Sequence, residues 1–160
     1  MLNVNYRTTC LVFVLGPFAG CSTTTTPRPS EPEFLNAPQA LERGLPFSEA
    51  VRAGDLLILA GQIGDDRGTG RPVAGGIQAE SRQALEHIKA VLERNGSSLA
   101  DVVKCTVFLA DIAEWGAFNE VYKQYFSPPY PARSALGASG LALGARVEVE
   151  CIAYAPVAAR

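Results

Sequence analysis

The chain has 160 residues, 48% of them hydrophobic and 19% charged, with a formal net charge of -2 and a pI near 5.4. That length accommodates one packed domain plus extensions. The slightly acidic balance lacks the basic footprint of a protein that binds nucleic-acid backbones. A single histidine, His87, excludes a histidine-rich metal site.

Residues 1–5 carry no charged side chain, and Arg7 is the only positive side chain before an apolar run at 10–20 (CLVFVLGPFAG). The run is too short to span a bilayer and Pro17 interrupts it, which fits a signal-peptide core. It ends in Phe18-Ala19-Gly20-Cys21, and small residues before a cysteine resemble the bacterial lipoprotein cleavage box. That resemblance implies a signal peptide over 1–20 and a lipidated Cys21. It also implies an exported protein anchored to a bacterial membrane, facing the periplasm. Two or more acyl chains anchor stably. The competing reading is an ordinary secretory signal with a coincidental cysteine. Residues 22–32 (STTTTPRPSEP) carry no apolar periodicity and read as a tether, placed over 21–36.

The domain is expected over 37–157. Residues 48–51 and 56–63 read as strands joined by the turn Arg52-Ala53-Gly54-Asp55, a hairpin. Residues 64–70 (GDDRGTG) read as a loop. They lack the Gly-Lys-Ser/Thr ending of a phosphate loop. The spacing of Ile77, Ala84, Leu85, Ile88, Val91 and Leu92 predicts a helix over 77–94, stopped by Asn95-Gly96. His87 lies off that apolar face and is expected in solvent. Residues 102–109 alternate, with Val103, Cys105, Val107 and Leu109 on one face, and read as a strand.

A second helix is expected over 112–126, where Trp115, Phe118, Tyr122 and Tyr125 form an aromatic stripe read as core rather than as a stacking platform. Ser127-Pro128-Pro129-Tyr130-Pro131 ends it. Residues 133–138 and 146–154 are the last strands, with Val147, Val149, Cys151 and Ala153 inward and Glu148 and Glu150 outward. The order β-β-α-β-α-β-β predicts an α+β domain, a mixed sheet with two helices packed on one face. Cys105 and Cys151 then both lie on the apolar side. Two buried free thiols are the favoured reading, with a cross-strand disulfide the other.

Taken together, five stretches in this order resemble the RidA (YjgF) family: Leu59-Ala60-Gly61-Gln62-Ile63, Val103-Lys104-Cys105-Thr106-Val107-Phe108-Leu109, Asn119-Glu120-Val121-Tyr122, Pro131-Ala132-Arg133-Ser134 and Val147-Glu148-Val149-Glu150. The resemblance runs from about Leu45 to Tyr154. It implies a chorismate-mutase-like fold and a homotrimer with sites between subunits. It also implies hydrolysis of reactive 2-imino acids and enamines to 2-oxo acids and ammonia, without metal or organic cofactor. By that resemblance Arg133 holds the substrate carboxylate, for which a planar fork of donors is suited. Glu148 activates the attacking water. Gly61, Asn119 and Phe47 line the pocket.

Read from the residues alone, Arg133 is a surface or interface ion pair, with Glu148 a candidate partner, and Glu148 is a solvated sheet-face carboxylate. Phe47, Ala60 and Ala135 replace a tyrosine, a serine and a cysteine common in the family. Each change removes a polar group, so weaker carboxylate binding and a more apolar pocket are expected. A non-catalytic small-carboxylate binding module is the alternative. A ribonuclease is disfavoured by the acidic pI.

Overall fold

A computed structural model describes residues 31–156. The signal peptide, Cys21 and most of the tether lie outside those residues. In chain order the elements are β1 (Glu33–Leu35), α1 (Pro38–Glu42), β2 (Ala50–Ala53), β3 (Leu56–Leu59), β4 (Gln62–Ile63), β5 (Asp65–Asp66), β6 (Arg71–Pro72), α2 (Gly76–Arg94), β7 (Val102–Leu109), α3 (Trp115–Tyr125), β8 (Ala132–Gly137) and β9 (Val147–Tyr154). Seven strands form one sheet in the order β1-β2-β3-β9-β7-β8, with β4 also paired to β9. All pairs are antiparallel except β7 with β8. The expected α+β architecture is present, a mixed sheet carrying two main helices.

The core follows from periodicity. Every residue assigned to the apolar face of α2 is buried, against alternate residues of β7 and β9. Gly96, at φ 73°, takes the left-handed conformation that closes α2, and Ser97 N–H donates to the Leu92 carbonyl. Phe118, Val121 and Tyr122 of α3 complete the same core.

Several expectations are corrected. The sheet begins inside the segment assigned to the tether, because Glu33–Leu35 pairs with β2. The expected strand over 56–63 breaks at Ala60-Gly61 into β3 and β4, both paired to β9. The loop over 64–70 is the tip of a small hairpin, Asp65–Asp66 against Arg71–Pro72. Val103 is exposed, because the register of β7 against β9 shifts between Val102 and Lys104 and the bulge turns Val103 outward. Its neighbour Val102 takes the core position. Cys105 and Cys151 are directly paired across β7 and β9 and joined by a disulfide, so the free-thiol reading gives way to its alternative.

His87 is also corrected: it is only 7% exposed. Its Nδ1 lies 3.1 Å from the Ile63 carbonyl and 3.5 Å from Asp65 Oδ1, and its Nε2 lies 2.8 Å from Gln83 Nε2. The side of α2 that looked solvated is covered by β4 and β5. Burial, reinforced by the charge of Arg67, holds the imidazole below its ordinary pKa despite Asp65.

Candidate functional site

Residues directly opposite one another in neighbouring strands share a face of the sheet. Arg133 lies opposite Cys105, which lies opposite Cys151. Both cysteines are buried on the helix side, so Arg133 is on that side too. Glu148 lies opposite Phe108, which lies opposite Leu136. That row belongs to the face turned away from α2 and α3. The two residues expected to share the chemistry therefore lie on opposite faces of one sheet.

On the helix side, the Arg133 guanidinium stacks against α3. Its central carbon is 4.5 Å from the Tyr122 ring centre, 5.7 Å from Phe118 and 6.0 Å from Trp115. Its Nη2 donates to Asn119 Oδ1 at 2.7 Å. Ring stacking and one amide acceptor fix a planar cation while leaving its other donors open. A cavity of about 350 Å³ opens beside it, lined by Trp115, Asn119, Tyr122, Lys123, Tyr130, Pro131 and Arg133. The aromatic stripe of α3 thus has two uses. Phe118 and Tyr122 are core, whereas Trp115 is 46% exposed at the cavity rim. Tyr122 has a buried hydroxyl without a hydrogen-bond partner among the described residues. Burial pushes that hydroxyl's pKa up, with Arg133 opposing.

On the open side, Glu148, Gly61 and Phe47 line a second cavity of about 400 Å³ together with Leu45, Gln62, Arg67 and Leu143. The Glu148 carboxyl group packs directly on Gly61: a Cβ there would overlap its Oε1 and lie 2.8 Å from its Cδ. Burial raises the Glu148 pKa and the nearby charge of Glu150 adds to the effect. A carboxylate of raised pKa is a stronger base, suited to drawing a proton from water. Phe47 is 54% exposed on the rim.

The structure thus joins Arg133 with Asn119, and Glu148 with Gly61 and Phe47, and keeps the two sets apart. Sequence reasoning missed the support of the second set. Glu49 is buried and accepts from Ala37 N–H at 2.6 Å, from Arg67 at 3.0 Å and from Arg94 at 3.1 Å. Arg67 also donates to Gln62 Oε1 at 2.8 Å. Burial alone would raise the Glu49 pKa, but these hydrogen bonds and the charges of Arg94 and Arg67 outweigh it and the net shift is downward. Arg67 sits in the stretch 64–70, read as a plain loop. Only its charge signalled a partner, and nothing in the sequence named Glu49.

The sequence model of the family described as Endoribonuclease L-PSP matches residues 35–155. A RutC family protein of Pyrococcus horikoshii is 46% identical over 119 residues, which cover 74% of this chain and 92% of that protein. The human protein named 2-iminobutanoate/2-iminopropanoate deaminase is 42% identical over 108 residues, covering 68% of this chain and 79% of its own. Among solved structures, RidA from an Antarctic Psychrobacter has 40% identity and a TM-score of 0.66, with 69% of this chain and 89% of that one covered. A Mycobacterium tuberculosis member of the YjgF/YER057c/UK114 family has 32% identity and a TM-score of 0.66, with 78% and 99% covered. The family model spans both cavities and the strands from β2 to β9, and the chain belongs to the RidA/YjgF family.

Proposed function

We propose that this protein hydrolyses 2-imino acids and their enamine tautomers to 2-oxo acids and ammonia, at a site that two copies of the chain build together. The observation that carries this reading is the separation of Arg133 and Glu148 on opposite faces of one sheet, each in an open cavity. A carboxylate anchor and a water-activating base on opposite faces act on one substrate only across a contact between copies. The face that bears Glu148 also exposes Leu56, Ile58, Leu136 and Tyr154, apolar surface of the kind that self-association covers. A homotrimer with sites between subunits fits this arrangement.

In this reading the open donors of Arg133 hold the substrate carboxylate, and Asn119 keeps the guanidinium oriented. Glu148 of a neighbouring copy accepts a proton from water as the oxygen bonds to the imine carbon. That proton passes to nitrogen to give a carbinolamine; its hydroxyl proton is then relayed to nitrogen through the same carboxylate, the carbon–nitrogen bond breaks, and ammonia leaves as the carbonyl forms. Gly61 leaves room for the Glu148 carboxyl group, and Phe47 closes the apolar rim.

The test measures ammonia release from 2-iminopropanoate generated in situ. Wild type is expected to exceed the uncatalysed rate and Arg133→Ala and Glu148→Ala to match it. When the two inactive variants are refolded together, subunit mixing regenerates intact sites, about a quarter of the total for random assembly of a ring. Wild type no faster than buffer would sink the catalytic reading, and active wild type without recovery in the mixture would sink the shared site.

Two further elements belong to this proposal. Cleavage before Cys21 and lipidation of its thiol would place the domain outside the cytoplasm on a bacterial membrane. The Cys105–Cys151 disulfide supports that location, because such bonds persist in oxidising compartments. The second reading is a binding module for small carboxylates. Ala60 favours it, since a methyl group offers a bound carboxylate no hydrogen bond. Saturable 2-oxo acid binding without turnover would decide for it.

A further inference from the structure

The cavity beside Arg133 is far larger than a methyl or ethyl side chain requires, and its walls are aromatic. We propose that it is a subsite for a large aromatic side chain, so that the preferred ligand is an aryl-bearing 2-imino acid or the corresponding 2-oxo acid. This rests on the reading of Arg133 as the carboxylate anchor.

Trp115 and Tyr130 are large aromatic residues left 46% and 53% exposed at the mouth of a cavity of about 350 Å³. Tyr130 stands between Pro129 and Pro131, which restrict the backbone on both sides. Trp115 begins α3, one turn before Asn119, so the helix that orients Arg133 also presents the indole. A carboxylate held on the open edge of Arg133 leaves the rest of its molecule to lie along Trp115 and Tyr130.

An acidic side chain fits less well. The second cation of the cavity, Lys123, is already paired with Glu120 at 3.1 Å. The half-site around Glu148 is mixed, with exposed Leu45, Phe47 and Leu143 beside charged groups such as Arg43 and Arg67. Its apolar residues extend the surface open to an aryl group, and the aromatic walls beside Arg133 carry the selectivity. Pockets that recognise apolar side chains discriminate by size over about 10- to 200-fold.

Trp115 is the only tryptophan of the chain, which makes it a direct reporter. Titration of the full protein with 2-oxo-4-phenylbutanoate is expected to change Trp115 fluorescence, with at least about tenfold tighter binding than pyruvate. Imine turnover supplies the second readout, comparing kcat/KM for the imines made in situ from phenylalanine and from alanine. The phenylalanine-derived imine is expected to lead by a similar factor, and Tyr130→Ala to bring the ratio close to one. Equal affinity for pyruvate and the phenyl acid, or a ratio unchanged in Tyr130→Ala, overturns the subsite. Tight phenyl-acid binding with no turnover of either imine keeps the subsite and removes the enzyme.

Discussion

Gly61→Ala separates catalysis from folding more sharply than removal of either charged residue. A Cβ at position 61 would overlap Glu148 Oε1 and lie 2.8 Å from Cδ and 3.0 Å from Cγ. Ordinary contact for a Cβ begins near 3.4 Å, so the Cδ must retreat by about 0.6 Å and the oxygen by more. The obstructing atoms are the end of a side chain at a cavity wall, free to swing, and Gly61 does not sit in the left-handed region. Stability should therefore change by less than about 1 kcal/mol, the scale of an ordinary glycine-to-alanine exchange. Activity should not be spared. A misplacement of about 1 Å in a reacting group costs about 10²-fold, equivalent to about 2.7 kcal/mol of barrier. Ammonia release from 2-iminopropanoate reads the first effect and thermal denaturation the second. Full activity in Gly61→Ala, beside an active wild type, would refute the role given to the Glu148 carboxyl group. A loss of activity tracking a fall in melting temperature would refute the claim that the site alone is perturbed.

Gly64→Ala is expected to do the reverse. Its Cβ would lie 2.5 Å from Glu80 Cα and 2.6 Å from Glu80 C, backbone atoms of α2 that cannot swing away. Overpacking of this kind costs about 1–3 kcal/mol and lowers the melting temperature by several degrees, with residual activity per folded molecule retained; an unchanged melting curve would count against the close approach. Replacing both Cys105 and Cys151 by alanine opens a link across a sequence separation of 46. Loss of about 2–4 kcal/mol in urea denaturation is expected, and an equal midpoint for wild type and double variant would mean the thiols are not bonded. His87 and Glu49 both have folded pKa values below their unfolded ones. The unfolded chain therefore takes up protons first as pH falls, from about 6.5 for the histidine and about 4.3 for the glutamate. Stability should decline with acid in both windows, and His87→Gln should flatten the decline between about pH 6.5 and the lower folded value. An unchanged slope there would remove His87 from the account.

What the sequence disclosed was periodicity, and periodicity reports which side of an element is apolar. It located α2 and β7, and it placed Cys105, Cys151 and the outward Glu148 correctly. It did not report what covers the other side. His87 looks solvated from sequence because the segments that bury it, Gln62–Ile63 and Asp65–Asp66, lie more than 20 positions earlier and carry no helical or long-strand pattern. Val103 looks inward from sequence because a bulge shifts alternation by one position without altering composition. The disulfide needed the β7–β9 register, which depends on the pairing of strands 46 residues apart. Tyr122 is core as the stripe implies, whereas Trp115 is not, and a cation stacked on a ring leaves no trace in the helix that bears the ring.

Sheet register narrows the readings of Arg133 by removing one ion pair inside a single copy. An ion pair with Glu148 requires both side chains on one face, and the rows Cys151–Cys105–Arg133 and Glu148–Phe108–Leu136 place them on opposite faces. Within one copy they cannot neutralise each other. The described residues give Arg133 an amide oxygen and three aromatic rings but no carboxylate. By contrast Arg67 and Arg94 both reach Glu49, and Arg146 reaches Glu114. An arginine held rigidly by uncharged groups at a cavity wall keeps its charge for a ligand, because a neutral acceptor and ring faces orient the guanidinium without cancelling it. That distinction, rather than the presence of an arginine after Pro131-Ala132, is what supports the proposed role of Arg133 as an anchor for a carboxylate.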